Sequence, residues 1–347
     1  MKKISFFNFT FEELEKFCIN NGAKRFNAKQ IYDWIYKKHV TSFDEMHNIS
    51  KSTIAMLKNK LSLDVFQIEK IQIDKKDGTT KFLFKLVDGH YIESVLMFFD
   101  WGNSVCISSE VGCPMGCKFC ASGQLKLVRK LEIYEIVLQY YMINEYLWKE
   151  KKDKVSNIAF MGVGEPFDNY DNLMSSLKII NNPYGICIGA RHITVSTCGI
   201  VPKILQYAKD QPQMNLAISL HAPIDEIRNK IMPVNKTYPL KDLLSAIDKY
   251  IAFTNRRVTF EYIMIHDLND TDKCLNELIK IAKNRLCFIN LIAYNQTSKN
   301  SFVKSTKINQ FKNQLNKNNI MTTLRLGRGN NIDAACGQLR AKYEKQI

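Results

Sequence analysis

The chain has 347 residues, 46% of them hydrophobic, and a formal net charge of +15 from 49 Lys and Arg against 34 Asp and Glu. That length exceeds what one hydrophobic core usually fills, so a large α/β domain with a small accessory domain is expected. With no run of roughly 18 uncharged apolar residues to span a bilayer, and an N-terminal apolar patch broken by Asn, Thr and then Glu12, Glu13 and Glu15, the chain reads as a cytoplasmic protein without a membrane partner.

Residues 1 to about 60 read as helical. In TFEELEKFCINNG, Thr10 followed by Glu13 is a capping-box pattern. FNAKQIYDWIYKK sets Ile31, Trp34 and Ile35 at helical spacing, and KSTIAMLKNKL continues as a third helix. Residues 65 to 100 change period: FQIEKIQI, TTKFLFKLVD and HYIESVLMFF alternate as strands around the turn signals KKDG and VDGH. From about 101 onward NIAFMG, HITVST, NLAISLHA, VTFEYIMI and FINLIAY read as strands, separated by helices such as YEIVLQYYMINEYLW and LKDLLSAIDKYIAF. Regular βα alternation predicts a parallel sheet, open or curled into a barrel. Functional residues in such sheets gather at the C-terminal strand ends, where the polar tails GVGEP, STCG, SLHA and YNQ fall. The expected division is a helical accessory domain over 1–62, a β-rich connecting segment over 63–100, a core over 101–330 and a C-terminal segment over 331–347.

Ten cysteines in a reducing compartment are expected as thiols, metal ligands or catalytic groups. Cys18, Cys187, Cys198, Cys274 and Cys287 stand singly in apolar or helical contexts and read as small hydrophobic filler. Cys113, Cys117 and Cys120, in VGCPMGCKFCASG, form a C-x3-C-x2-C group. A structural zinc site closes with four protein ligands, whereas three thiolates on a [4Fe-4S] cluster leave one iron open to a small molecule. Zinc completed by a distant His or a fourth Cys is the alternative. Gly112, Gly116 and Gly123 give the loop the conformational freedom to wrap a cluster. The positive charge suggests a polyanionic partner, with a membrane surface or plain solubility as alternatives. Residues 299–347 hold ten Lys or Arg against only Asp333 and Glu344, so a basic stretch surrounds Cys336.

The three cysteines, with Phe119 before the last, resemble the radical S-adenosylmethionine (SAM) enzymes. The wider set CISSEVGCPMGCKFCASG, AFMGVGEP, SLHAP, INLIAYN and NNIDAACGQLRAK, with FNAKQIYDWIY near the N-terminus, is similar to the RlmN family, which methylates C2 of an adenosine in 23S rRNA and often also of tRNA. The resemblance implies a partial (β/α)6 radical-SAM barrel with a small N-terminal helical domain. It implies a [4Fe-4S] cluster on Cys113, Cys117 and Cys120, and two SAM molecules per turnover. Gly164 and Glu165 match the residues that hold the SAM amino group; Ser196, Ser219, His221 and Asn295 match its other contacts. Cys336 matches the cysteine that is methylated and then carries its carbon onto adenine. Cys106 matches the resolving thiol, which forms a transient disulfide with Cys336 and frees the product. Glu93 matches the proton acceptor. An electron donor such as flavodoxin or ferredoxin and a thiol reductant are implied as partners, beside 23S rRNA and tRNA. The chain departs from the family pattern at Gln296, where Pro is usual, and at Glu110, where Gln is common. Two other readings stand beside this one: a Cfr-type enzyme that methylates C8 of the same adenosine, and a non-catalytic zinc-containing RNA-binding protein.

Overall fold

The structure, a computed structural model, describes residues 3–295, 300–325, 327, 329 and 332. It begins with β1 (Ile4–Ser5), α1 (Phe11–Asn20), α2 (Asn27–Tyr36), α3 (Lys51–Lys60) and β2 (Leu61–Ser62), which pairs in parallel with β1. The expected capping box opens α1: the Thr10 N–H donates to Glu13 Oε2 at 2.9 Å, and the Glu13 N–H to Thr10 Oγ1 at 3.4 Å. The helical spacing of Ile31, Tyr32 and Ile35 buries one face of α2 completely.

An antiparallel meander follows, made of β3 (Gln67–Ile73), β4 (Thr80–Lys85), β5 (Tyr91–Phe99) and β6 (Gly102–Cys106). A short pair, β7 (Glu110–Val111) with β8 (Arg129–Lys130), closes the base of the cysteine loop. The chain then alternates through α4 (Ile133–Lys151), β9 (Val155–Phe160), α5 (Tyr170–Asn181), β10 (Ile193–Thr197), α6 (Val201–Asp210) and β11 (Asn215–Ser219). It continues with α7 (Asp225–Ile231), α8 (Leu240–Thr254), β12 (Val258–Met264), α9 (Asp272–Lys283), β13 (Cys287–Ala293), α10 (Ile308–Lys317) and β14 (Thr322–Arg325). Among the described residues, ten strands form one sheet in the order β14-β13-β12-β11-β10-β9-β6-β5-β4-β3. Strand β6 joins its two halves, antiparallel to β5 and parallel to β9. The hydrophobic pattern does not separate β6 or β14, because GNSVC and TTLR are short and set polar residues side by side, which breaks the alternation. Among the described residues, no helix is long and apolar enough to cross a membrane.

One face of this sheet is covered by helices. Val105, Ile158, Val195, Ile218, Phe260 and Leu291 leave successive strands on that side and are fully buried or nearly so. The opposite, inner face carries the intervening residues. The N-terminal helices join the helical layer through Phe6, Phe7 and Tyr36, with the Phe7 ring 5.0 Å from that of Tyr141 on α4.

Gln139 of α4 fastens that layer to the meander. Its Oε1 accepts from Ser94 Oγ at 2.8 Å and the Ser108 N–H at 2.7 Å; its Nε2 donates to the carbonyls of Ser108 and Glu135, both at 3.0 Å. A hydrocarbon there leaves the Ser108 N–H and carbonyl buried without partners. We expect Gln139→Leu to lose about 2–4 kcal/mol of stability, read as a lower denaturant midpoint at unchanged slope.

Candidate active site

At the C-terminal strand ends lies a cavity of about 200 Å³. The loop after β7 contributes Cys113, Cys117 and Cys120, the loop after β9 contributes Gly164 and Glu165, and the ends of β10 and β11 contribute Ser196, Ser219 and His221. These eight residues, widely spaced in the chain, face one space.

Close packing winds the cysteine loop. A Cβ on Gly112, whose φ is +87°, would come within 2.1 Å of the Lys126 carbonyl oxygen, and one on Gly123 within 2.7 Å of the Cys117 carbonyl oxygen. Burial pushes the Cys117 thiol up to about 12 and the Cys113 thiol further in the same direction. Bare thiolates are therefore disfavoured in this wall, while coordination to a metal deprotonates a thiol outright. Three soft donors from one loop, all lining one cavity, fit an iron–sulfur cluster held by three thiolates.

The GEP loop is equally constrained. Gly164 has φ +111°, and a Cβ there would meet Ser109 Oγ at 2.6 Å and Glu110 Cβ at 2.7 Å. Glu165 is buried: its Oε2 accepts the Cys198 N–H at 2.7 Å and its Oε1 the Phe167 N–H at 3.1 Å. Each carboxylate oxygen keeps a further lone pair for a cationic ligand. Burial raises the Glu165 carboxyl above its usual range, opposed by the Cys198, Thr197 and Phe167 hydrogen bonds. His221 adopts a left-handed backbone at φ +55°. Its ring stands edge-on to Phe119, with centroids 4.7 Å apart, and Nδ1 accepts the Ile263 N–H at 3.1 Å, which leaves the ring proton on Nε2. Burial, with Arg228 nearby, pulls its imidazolium down to about 3, so the ring is neutral at every physiological pH.

The remaining expected residues lie elsewhere. Cys106 is buried on β6 in a cluster with Val95 and Met97, and Met161, which lines the cavity, packs against that cluster. Glu93 is buried on β5 and forms an ion pair with the equally buried Lys81, at 2.8 Å. Asn295 is exposed just beyond β13 and is not among the cavity-lining residues. Cys336 and Gln296 lie outside the described residues, as do Lys299, Arg328, Arg340, Lys342 and Lys345 of the basic C-terminal stretch.

Several participants escape a reading by motif. Cys198, read above as filler, lines the cavity and shares an apolar cluster with Cys117, Phe119 and Cys120. Among the other lone cysteines, Cys18 and Cys274 are buried as expected, whereas Cys187 is exposed. Arg228 is fully buried and ties the strand ends together, donating to the carbonyls of Cys198 (2.7 Å), Ser219 (3.2 Å) and Leu220 (3.0 Å) and to Asn235 Oδ1 (2.7 Å). Lys81, Glu261 and Arg325 point to the inner face. The only signal of Lys81 and Glu261 in the sequence is a charge set within an apolar strand, and Arg325, at the end of the polar strand TTLR, has none.

A parallel α/β sheet that brings a C-x3-C-x2-C loop against a GEP loop and polar strand ends defines a radical SAM enzyme, and residues 107–279 match the model of the radical SAM superfamily. Residues 4–63 match the ribosomal RNA large subunit methyltransferase N-terminal domain. The chain is 51% identical over 338 residues to the probable dual-specificity RNA methyltransferase RlmN of Malacoplasma penetrans (strain HF-2), covering 97% of this chain and 96% of that protein. It is 50% identical over 343 residues to the protein of the same name from Spiroplasma citri, covering 99% of each. A radical SAM methyltransferase from Sphaerobacter thermophilus, of solved structure, superposes with a TM-score of 0.90 at 39% identity, over 96% of this chain and 98% of that one. The chain belongs to the RlmN family of radical SAM RNA methyltransferases. Membership decides for the iron–sulfur cluster and against the zinc reading.

Two expectations test the site. Replacing Cys113, Cys117 or Cys120 by Ala should abolish cluster assembly after anaerobic reconstitution, while Cys198→Ala should still take up about four irons; iron and sulfide analysis with the visible spectrum reads both. Glu110, where Gln is common in the family, accepts the Glu165 N–H at 2.8 Å and is raised to about 8 by burial, with Asp168 and Glu165 adding to the shift. Between its ordinary value of 4.5 and about 8 the native state keeps a proton that the unfolded chain has released. The stability from this site is therefore lost as pH rises through that window. The stability of Glu110→Gln relative to the parent should rise by about 1 kcal/mol or more between roughly pH 5 and pH 8, measured by denaturant unfolding at both.

Proposed function

We propose that this chain methylates C2 of an adenosine in 23S rRNA and of an adenosine in tRNA, consuming two SAM molecules per methyl group installed. The observation that carries the reading is the convergence of the three-cysteine loop, the GEP loop and the Ser and His strand ends on one cavity, in a chain that matches curated dual-specificity RNA methyltransferases along 97–99% of its length. In this reading residues 1–62 are the accessory domain, 63–100 the connecting segment, 101–330 the radical SAM core and 331–347 the segment that brings in Cys336.

The aromatic C2 carbon is not a nucleophile, so polar attack on a sulfonium methyl group cannot methylate it. The cluster, once bound to Cys113, Cys117 and Cys120 and reduced by a flavodoxin- or ferredoxin-type donor, supplies one-electron cleavage of SAM. The chain's own residues do the rest. Gly164 and Glu165 orient the amino end of SAM, and Ser196, Ser219, His221 and Asn295 its remainder. Cys336 receives a methyl group on sulfur from one SAM; that methyl gives a hydrogen atom to the 5′-deoxyadenosyl radical from the second SAM, and its carbon then bonds to C2. Glu93, held by Lys81 at 2.8 Å, accepts the proton that C2 gives up. Cys106 then attacks the Cys336 sulfur, releasing the RNA and leaving a disulfide that an external thiol reduces. Supporting this pairing, the cavity-lining Met161 packs against the apolar cluster that holds Cys106.

Nucleoside mass spectrometry of RNA from complemented cells should show 2-methyladenosine; 8-methyladenosine would instead make the enzyme Cfr-type. Cys106→Ala should accumulate a protein–RNA adduct, seen as a nuclease-sensitive upshift on a denaturing gel that vanishes in the Cys106→Ala, Cys336→Ala double variant. Full methylation by Cys106→Ala without adduct would remove Cys106 from the mechanism.

A further inference from the structure

The loop between β12 and α9, which begins IHDLND over residues 265–270, carries a group of donors that the mechanism above does not use. His266 Nε2 stands 3.3 Å from Asp267 Oδ2, and its Nδ1 stands 3.6 Å from Asp270 Oδ2. One ligand atom from each of the three residues lies within 4.8 Å of the other two. His266 and Asp267 are open to solvent, whereas the Asp270 side chain is 0% exposed. Ser305 Oγ donates to Asp270 Oδ2 at 2.6 Å; the other oxygen of that carboxylate, Oδ1, is buried and has no hydrogen-bond partner among the described residues. Such orphans are rare in folded proteins and point to a missing ligand. Charge points the same way: among the described residues no Lys or Arg forms an ion pair with Asp267 or Asp270. The surroundings fix the group in place. Asn269 Oδ1 accepts the Ile265 N–H at 2.7 Å, and its Nδ2 donates to the His221 carbonyl at 2.7 Å, so the loop closes on itself and is tied to the cavity wall. From the other side the His266 N–H donates to the Val303 carbonyl at 2.9 Å and the Ser305 N–H to the Met264 carbonyl at 3.3 Å. The same 300–305 segment reaches the cysteine loop, where Asn300 Nδ2 donates to the Lys118 carbonyl at 2.9 Å and Phe302 packs against the apolar cluster of Cys117 and Cys198.

We propose that His266, Asp267 and Asp270 bind a divalent first-row transition-metal ion, separate from the iron–sulfur cluster, which fastens the β12–α9 loop to the 300–305 segment. The site does not depend on the reaction proposed above. Metal–ligand bonds of about 2.0–2.2 Å set neighbouring donors roughly 3 to 4 Å apart, so rotation of the two exposed side chains, His266 and Asp267, is enough to close the group on an ion. Asp270 is the fixed ligand, held by Ser305 as ligating carboxylates are held by an outer hydrogen bond. One imidazole with two carboxylates suits Mn2+, Fe2+, Co2+ or Zn2+; Mg2+ and Ca2+ favour oxygen donors alone. A protonated His266 between the two carboxylates is the other way to balance the charge, and the experiment separates the two.

The test uses the cluster-loaded enzyme, desalted free of unbound metal, at about pH 7.5, where an ordinary imidazole is neutral. Mn2+ alone is the probe, and the cluster is kept oxidised so that the paramagnetic resonance signal is that of free Mn2+. Titration should show one ion bound per chain with a Kd on the order of 10 μM, retained in roughly 100-fold excess of Mg2+. His266→Ala should weaken Mn2+ binding by at least about 10-fold, and Asp270→Asn by at least as much, with iron content and visible spectrum unchanged. Hydrogen exchange in peptides covering 264–271 and 303–305 should slow when Mn2+ is added to the wild type and stay as it was in His266→Ala. His266 is exposed, so its variant decides the matter even if Asp270→Asn fails to fold. No Mn2+ bound by the wild type overturns the proposal and leaves the three residues as an ion-pair cluster around a protonated imidazole. Unchanged affinity in His266→Ala overturns it, as does release of the ion by Mg2+. Mn2+ bound without any slowing of exchange overturns the fastening of the loop.

Discussion

Successive side chains of a strand leave its sheet on opposite sides, and hydrogen-bond register carries that parity from one strand to the next. In this protein the register couples Val95, Cys106 and Ala159 across β5, β6 and β9, then Ser219, Glu261 and Asn290 across β11, β12 and β13. Every second residue packs under the helices, and the others share the inner face. A one-residue slip in any ladder would turn Cys106 or Glu261 into the helical layer and Val105 or Phe260 out of it. The hydrophobic loss on one face therefore protects the chemistry on the other.

The second constraint is the cost of charge in that interior. A buried ionised group persists only with a partner or a ligand, because desolvation disfavours it. Arg228 meets this through three carbonyls and an amide oxygen, and in doing so fixes the ends of β10 and β11 where the cavity opens. Lys81 and Glu93 meet it through each other. Glu165 accepts backbone N–H groups from its own loop and from Cys198, just after β10. Glu110 and Glu261 are less completely compensated: each has one oxygen bonded and one buried oxygen without a hydrogen-bond partner among the described residues. The polar interior is thus held in position by its own hydrogen bonds before any ligand enters.

Much of the fold was legible in the chain. The Thr10–Glu13 cap, the apolar period of α2, the alternation of the meander and the βα repeat each follow from local chemistry, which acts over a few residues and leaves its mark in a short window. Strands β6 and β14 were not legible, since their register is set by neighbours far along the chain rather than by their own composition. Within the site, the cysteine loop and GVGEP were found because close backbone packing and thiolate ligation demand particular residue types at fixed spacing. Cys198 is the buried apolar side chain it was read as, but a single cysteine after a strand has no local pattern to show that it also forms a cavity wall.

By itself, then, the sequence determined the periodicities, the turns, the cysteine spacing and the family likeness, all of them consequences of short-range geometry. Only the tertiary structure decided which charges meet. Lys81 and Glu93 are separated by one hairpin, Glu261 and Asn290 by a whole βα unit, and Arg228 reaches back 30 residues to the Cys198 carbonyl. A buried charge in an apolar strand announces that it must have a partner, but pairing energy falls on whichever group the register brings within reach, and register is a property of the assembled sheet.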